Sequence, residues 1–205
     1  MSDLLNATLL AEAFVTLFVI MDPPGTIPIF LSLTRGRSVK TIRRAAWQAV
    51  AVSFGVISVF AFFGQGILHY LHISLPALQC AGGLLLLLVA LELLTGKEEA
   101  HTPNAEVNVA LVPLGTPLLA GPGAIVATMV FSQQVEDTAD FTAVALGVVG
   151  VHVCIWLVMR FSVPILKVIK ESGVVLVTRI AGLLLSAIAV QMVADAVRAF
   201  IAEGL

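Results

Sequence analysis

Met21-Asp22-Pro23-Pro24-Gly25-Thr26-Ile27-Pro28-Ile29-Phe30 is the stretch that decides the fold. It lies inside an apolar run from about Leu4 to Leu33. Pro23 and Pro24 have no N–H to give to a helix ladder, and their rings crowd the preceding turn, so a helix arriving at Asp22 must break. Gly25 supplies a position where the backbone can turn, and Thr26 onward can restart the helix. Counted as helix from about Ala13 to Thr34, the run is roughly 33 Å long, which puts the break near the middle of a bilayer.

Outward from this stretch the chain is a series of such runs. The second covers about Ala45 to Leu68 and the third about Leu75 to Leu94. The fourth, about Val109 to Phe131, is interrupted at Gly121-Pro122-Gly123; the fifth is about Phe141 to Met159 and the sixth about Val174 to Ile201. Each can cross a hydrocarbon core of about 30 Å. Backbone groups in lipid must satisfy one another and no period-two alternation marks a barrel, so the spans are helices. Composition agrees: of 205 residues 59% are hydrophobic and 12% charged, with a mean hydropathy of +1.05, far from a soluble domain. A net charge of −2 without a basic patch excludes nucleic acid as a partner. Cys80 and Cys154 are isolated within apolar runs and read as small buried hydrophobes. The start Met1-Ser2-Asp3 lacks the basic residues of a cleaved signal, so the first run is expected to stay in the protein.

Charge orients the spans. Ten of the eleven basic residues fall in three connections on one side: Arg35, Arg37, Lys40, Arg43 and Arg44; Lys97; and Arg160, Lys167, Lys170 and Arg179. Arg198 alone is left for the other side, and the 133–140 connection has Glu136, Asp137 and Asp140 but no base. The positive-inside rule puts the basic connections in the cytoplasm and both termini outside, in a multi-pass protein of the inner membrane.

The chain repeats itself. Pro24-Gly25-Thr26-Ile27 recurs 98 positions later as Pro122-Gly123-Ala124-Ile125, and Ala81-Gly82-x-Leu84-Leu85 recurs 100 positions later as Ala181-Gly182-x-Leu184-Leu185. The expected architecture is therefore all-α, a single membrane domain over 1–205. Repeat 1 is about 1–95, a cytoplasmic loop about 96–108 and repeat 2 about 109–205. Three spans per repeat make the second half enter the membrane inverted, with the first and fourth helices broken at mid-depth. Paired broken helices in inverted repeats point to a secondary transporter with a midplane site.

The chemistry follows from the two breaks. Two half-helix N-termini should face each other, and free N–H groups with the helix dipole attract an anion such as an amino-acid carboxylate. Carbonyls before each break can hold a cation or an ammonium. Asp22, costly at the bilayer centre, is read as a counter-ion, a sodium ligand or a proton carrier, or else as a cap on the restarted half-helix. Its repeat counterpart is Ala120. The candidate substrate-binding residues are Asp22, Pro23, Pro24, Gly25, Thr26, Thr116, Gly121, Pro122, Gly123, Ala124 and Gln191, with sodium near Asp22 as one open option. No cofactor is expected, and the coupling ion is sodium or proton. His152 could relay protons, or make one interhelical hydrogen bond. The plain alternative for both breaks is a pair of kinks in tightly packed helices.

The two break segments, Met21 to Phe30 and Val112-Pro113-Leu114-Gly115-Thr116-Pro117-Leu118-Leu119-Ala120-Gly121-Pro122-Gly123-Ala124-Ile125, resemble the two signatures of the MarC family over the whole chain. The first signature, Asn/Asp-Pro-x-Gly-x-x-Pro, is present in its Asp version. The resemblance implies kinship with the lysine-exporter-like superfamily. It also implies ion-coupled transport, by uptake or export, of small neutral amino acids such as glycine or alanine. Competing readings are export of another small metabolite and a non-transporting structural or stress-related membrane protein. An enzyme is not expected, since no nucleophile–base pair or metal-ligand spacing stands out. The expected partners are a small solute and the lipid bilayer; oligomerisation is left open.

Overall fold

A computed structural model describes residues 5–34, 36–95 and 119–203. Seven helices follow in order: α1 (Ala7–Met21), α2 (Thr26–Leu33), α3 (Val39–Tyr70), α4 (Leu75–Thr95), α5 (Pro122–Gln133), α6 (Thr138–Arg160) and α7 (Ser162–Glu203). No strand occurs among the described residues. Local chemistry sets the starts. Asn6, Ser38 and Asp137 accept the amides of Leu9, Thr41 and Asp140 at 3.0, 3.2 and 2.9 Å, each capping a first turn.

The helices α3, α4, α6 and the Ser172–Ala202 part of α7 are each long and apolar enough to cross a membrane, and α1 with α2 forms a further span bent by 47° at the break. The helix α5 has 12 residues, the second half of the fourth expected span. The first half of that span lies outside the described residues, as do the 96–108 loop and Thr116. Helix α3 is longer than the core requires, so Lys40, Arg43 and Arg44 sit on its first two turns beyond the apolar stretch. Helix α7 also begins earlier than expected and is interrupted at Lys170, whose φ of 59° and ψ of 166° are not helical.

Packing is by small residues, as expected where lipid removes the hydrophobic drive between helices. Ala13, Ala46, Ala49, Ala90, Ala143, Ala189 and Ala196 are fully buried, while Phe62, Phe63, Trp47, Leu84, Leu88, Leu176 and Leu183 are exposed. Large apolar side chains on the outside suit a surrounding of hydrocarbon; inside, the alanines pack together with Phe30, Ile155, Met159 and Leu185, which are fully buried. The crossings also fix direction. Asn6 reaches Asp140 and Ala13 lies against Gly147, so α1 and α6 run parallel. Ser53 meets His152 while Phe62 meets Phe141, so α3 and α6 run antiparallel. A Cβ on Gly83 would stand 2.8 Å from the Ala189 carbonyl oxygen, and one on Gly182 3.3 Å from that of Ala90, so α4 and α7 cross closely and antiparallel.

Candidate functional site

The first break is a compact turn organised by Asp22. Asp22 ends α1 in the left-handed region, φ 39° and ψ 67°, with its N–H donating to the Phe18 carbonyl. A residue before proline is pushed out of the α region, and aspartate is among the few side chains that tolerate this alternative. Its carboxyl Oδ1 accepts the Gly25 N–H at 3.2 Å. The Asp22 carbonyl accepts the Thr26 N–H and the Pro24 carbonyl the Ile27 N–H, both at 3.1 Å. The Thr26 hydroxyl donates to the Pro23 carbonyl at 2.7 Å. Asp22, Pro23, Gly25 and Thr26 are all buried, Asp22 to 8% exposure; Pro24 is half-buried.

Two expectations change here. Gly25 has an ordinary helical φ of −66° and ψ of −23°, so conformational freedom is not why it is glycine. A Cβ there would overlap the Asp22 carboxyl, so the requirement is space. The first amides of α2, expected to face an anion, are instead bonded within the turn: Gly25 to the carboxyl, Thr26 and Ile27 to carbonyls. The oxygens left over lie on the other side. Pro23 and Pro24 bring no N–H to the carbonyls of Val19 and Ile20, and Gly25 turns its own toward Asp22, so the last turn of α1 ends in carbonyls without helical donors. Such oxygens suit a sodium ion or an ammonium group.

The second break lacks a counterpart of the Asp22 clasp. Gly121 caps α5 in an extended conformation, φ −64° and ψ 164°, with no side-chain hydrogen bond, and Pro122 takes the first helical position. Ala120, Gly123 and Ala124 are buried, Gly121 is half-buried and Pro122 is exposed. A Cβ on Gly123 would overlap Leu86 of α4. The two breaks belong together: α1 packs on α5, and Met21, Ala120 and Ala124 share one buried cluster.

Gln191 stands apart from them. It is exposed on α7 and donates to Asp195 at 2.8 Å, and Asp195 in turn pairs with Arg198 at 3.5 Å. Its placement among the substrate-binding residues finds no geometric support. Thr116 lies outside the described residues. Among the described residues, no three His, Cys, Asp or Glu side chains converge on one point.

A further contact is the interhelical hydrogen bond that the sequence offers as one reading of His152. His152 of α6, 4% exposed, meets Ser53 of α3, fully buried, at 3.2 Å between Nε2 and Oγ. Above them, between α3, α5 and α6, is a cavity of about 370 Å³ whose lining includes Phe54, Ser58, Gln65, Ser132, Ala145 and Val148.

The bent first span, the small-residue crossings and the glycine–proline start of α5 are all features that a membrane family can share, and the comparison with known sequences agrees. The profile described as MarC family integral membrane protein matches residues 7–201. The chain belongs to the MarC family. It is an integral, multi-pass membrane protein of all-helical build. It is 37% identical over 193 residues to the UPF0056 membrane protein MJ1677 of Methanocaldococcus jannaschii, covering 91% of this chain and 94% of the relative. UPF0056 membrane protein YvbG of Bacillus subtilis is 30% identical, covering 90% of this chain and 92% of the relative. UPF0056 membrane protein YhcE of Escherichia coli is 27% identical and covers 90% of each chain. No solved structure matches.

Proposed function

We propose that this MarC-family protein is a secondary transporter of small neutral amino acids, glycine or alanine in size, driven by a sodium or proton gradient across the inner membrane. The observation that carries the proposal is the bent first span with a buried carboxyl at Asp22, packed near the Gly121-Pro122 start of α5 at the repeat-equivalent position. Half-helices that meet in the membrane are how such proteins bring backbone charge to a solute. The carbonyls ending α1 and the Asp22 carboxyl suit an ammonium or sodium, and the start of α5 at Gly123 and Ala124 suits a carboxylate.

The helix pairings support the inverted three-plus-three arrangement. Exchanging the halves turns α1·α6 into the fourth span against α3, represented by α3·α5, and turns α4·α5 into α7·α1; both members of each couple are packed. The antiparallel crossing of α4 and α7, the third helices of the halves, fits opposite insertion. With both termini outside, Asn6 and the bonded Asp140 lie at the outer surface, and the basic first turns of α3 lie in the cytoplasm.

Binding tests the reading. Purified protein should unfold at a higher temperature with millimolar glycine or alanine, and Asp22→Asn should remove the shift while leaving helix content unchanged. A shift only with some other small metabolite would move the proposal to that solute. No shift with any amino acid would favour the non-transporting reading, for which the internally bonded Gly25, Thr26 and Ile27 amides are the best support.

A further inference from the structure

Among the described residues outside the breaks, the buried titratable side chain is His152. His152 Nδ1 lies 2.7 Å from the Val148 carbonyl, which can only accept, so Nδ1 carries a proton. In the neutral ring Nε2 then accepts, and the Ser53 hydroxyl donates to it. The imidazole is thus held in one tautomer, its free lone pair aimed at a hydroxyl that can reverse its role.

Three further features surround this pair. Ser53 and His152 are 99 positions apart, between the 98 of the breaks and the 100 of the glycine motifs, so they are equivalent residues of the two halves. Equivalent residues that touch lie where the halves meet, the surface across which alternating access moves one half against the other. Next, the cavity of about 370 Å³ comes within one side chain of this pair: Phe54 and Val148 line it, the Phe54 ring stands edge-on to the imidazole at 5.2 Å, and the Val148 carbonyl holds Nδ1, while Ser53 and His152 themselves lie behind that lining. Finally, Ser58 and Gln65, two turns apart on α3, and Ser132 of α5 give the cavity polar groups for water on its way from the outer end.

We propose that His152 is a proton-binding site loaded from the outer side through this cavity, and, resting on the transport reading above, that the proton it carries is the coupling ion. A proton delivered by cavity water bonds to Nε2, and the Ser53 hydroxyl rotates from donor to acceptor. The imidazolium is then held by Ser53 and Val148, with the edge of the Phe54 ring between it and the cavity as the group a proton must pass. No carboxylate neutralises it. Among the described residues, α2, α5 and the Trp47–Leu68 stretch of α3 carry no titratable side chain. Of the groups on α1, Glu12 is exposed and Asp22 is bonded within the break. On α6 itself Asp140 is bonded to Asn6, Cys154 is half-buried and Arg160 lies over Trp156. On α7, Asp195 is bonded to Gln191 and Arg198; Lys167, Lys170 and Arg179 belong to its early turns. A charge bound here without a partner is a charge the halves must move past to release, which is what coupling requires.

Nitrogen NMR of ¹⁵N-histidine protein in lipid nanodiscs, with His152 assigned by its loss in His152→Gln, tests the site without any substrate. The expected result is a change of Nε2 protonation between about pH 5 and pH 9. The expected result for Ala145→Trp, which fills the cavity, is that this response is lost while helix content is kept. A His152 that stays neutral over that range, or that titrates equally well in Ala145→Trp, overturns the proposal whatever the transport assays show. In proteoliposomes, His152→Gln should lose at least tenfold of the alanine accumulation driven by an inside-alkaline gradient and keep alanine–alanine exchange. Undiminished gradient-driven accumulation in His152→Gln overturns the coupling role. Titration of His152 in a protein without any alanine or glycine flux would support the proton site and contradict the transport reading instead.

Discussion

Replacing Gly25 by alanine drives a methyl group into the volume held by the Asp22 carboxyl. The backbone of Gly25 is ordinary helical, so alanine is locally acceptable and the whole cost comes from that overlap. The carboxyl must leave, and the Gly25 N–H bond to Oδ1 goes with it. A hydrogen bond to a charged group contributes about 1.5–3 kcal/mol, overpacking costs about 1–3 kcal/mol, and replacing glycine returns about 0.4–1 kcal/mol through the unfolded chain. Because the carboxyl's departure relieves the overlap, the first two overlap in turn, leaving a net loss of about 2 kcal/mol. Equilibrium unfolding in mixed detergent micelles measures it. The decisive comparison is a double-mutant cycle. In an Asp22→Ala background, Gly25→Ala should be neutral or slightly stabilising, giving a coupling energy of about 2 kcal/mol. A Gly25→Ala protein as stable as the original, or the same loss in both backgrounds, would refute the clasp as the reason for glycine.

Other outcomes follow from the same contacts. At the α4–α7 crossing, Gly83→Ala should destabilise more than Gly182→Ala, by about 1 kcal/mol or more, because the Ala189 carbonyl stands closer and backbone cannot step aside; the same unfolding assay ranks them. At the start of α5, Gly123→Ala should cost about 1–3 kcal/mol, but little when made in a Leu86→Ala protein, since the methyl meets the branched end of that side chain; Leu86→Ala alone still carries its own cost for a buried leucine. Single cysteines should report sidedness: one at Glu136 should react with an impermeant thiol reagent in intact cells and one at Arg37 only after lysis, and the reverse pattern would invert the orientation.

The break in the first span is legible because proline acts through hydrogen-bond chemistry that no tertiary context repairs cheaply; the half-span before Gly121 lies outside the described residues. Pro23 and Pro24 cannot donate, so the bend at Asp22 was readable as it stands, bounded by α1 and α2. Which residue would take the left-handed conformation was readable only in part. The rule that a residue before proline leaves the α region singles out Asp22, whereas Gly25, directly after the prolines, suggests conformational freedom when its role is room. The cap by Asp22 is one of the readings the sequence offers, and its Oδ1 accepts the Gly25 N–H; that the Thr26 and Ile27 amides go to the Asp22 and Pro24 carbonyls is not legible. Gln191 is bonded to Asp195 away from the first break, and the polar residues of α7 form no stripe that tells its inner face from its lipid face. The interruption at Lys170 falls within the basic connection expected between the fifth and sixth spans, and the spanning stretch Ser172–Ala202 begins close to the expected Val174. The Ser53–His152 pair did leave a signal: its separation of 99 matches the repeat offset, and equivalent residues on the second helices of two inverted halves are natural neighbours.

The most direct test of transport at the breaks is uptake of radiolabelled alanine and glycine into proteoliposomes under imposed sodium and proton gradients. The wild-type protein should accumulate label under at least one gradient, while Asp22→Asn and Gly123→Leu, still folded by circular dichroism, should fall to the level of empty liposomes. Label that never rises above empty liposomes with the wild-type protein, or that accumulates unchanged in both variants, would contradict a transport site at these breaks.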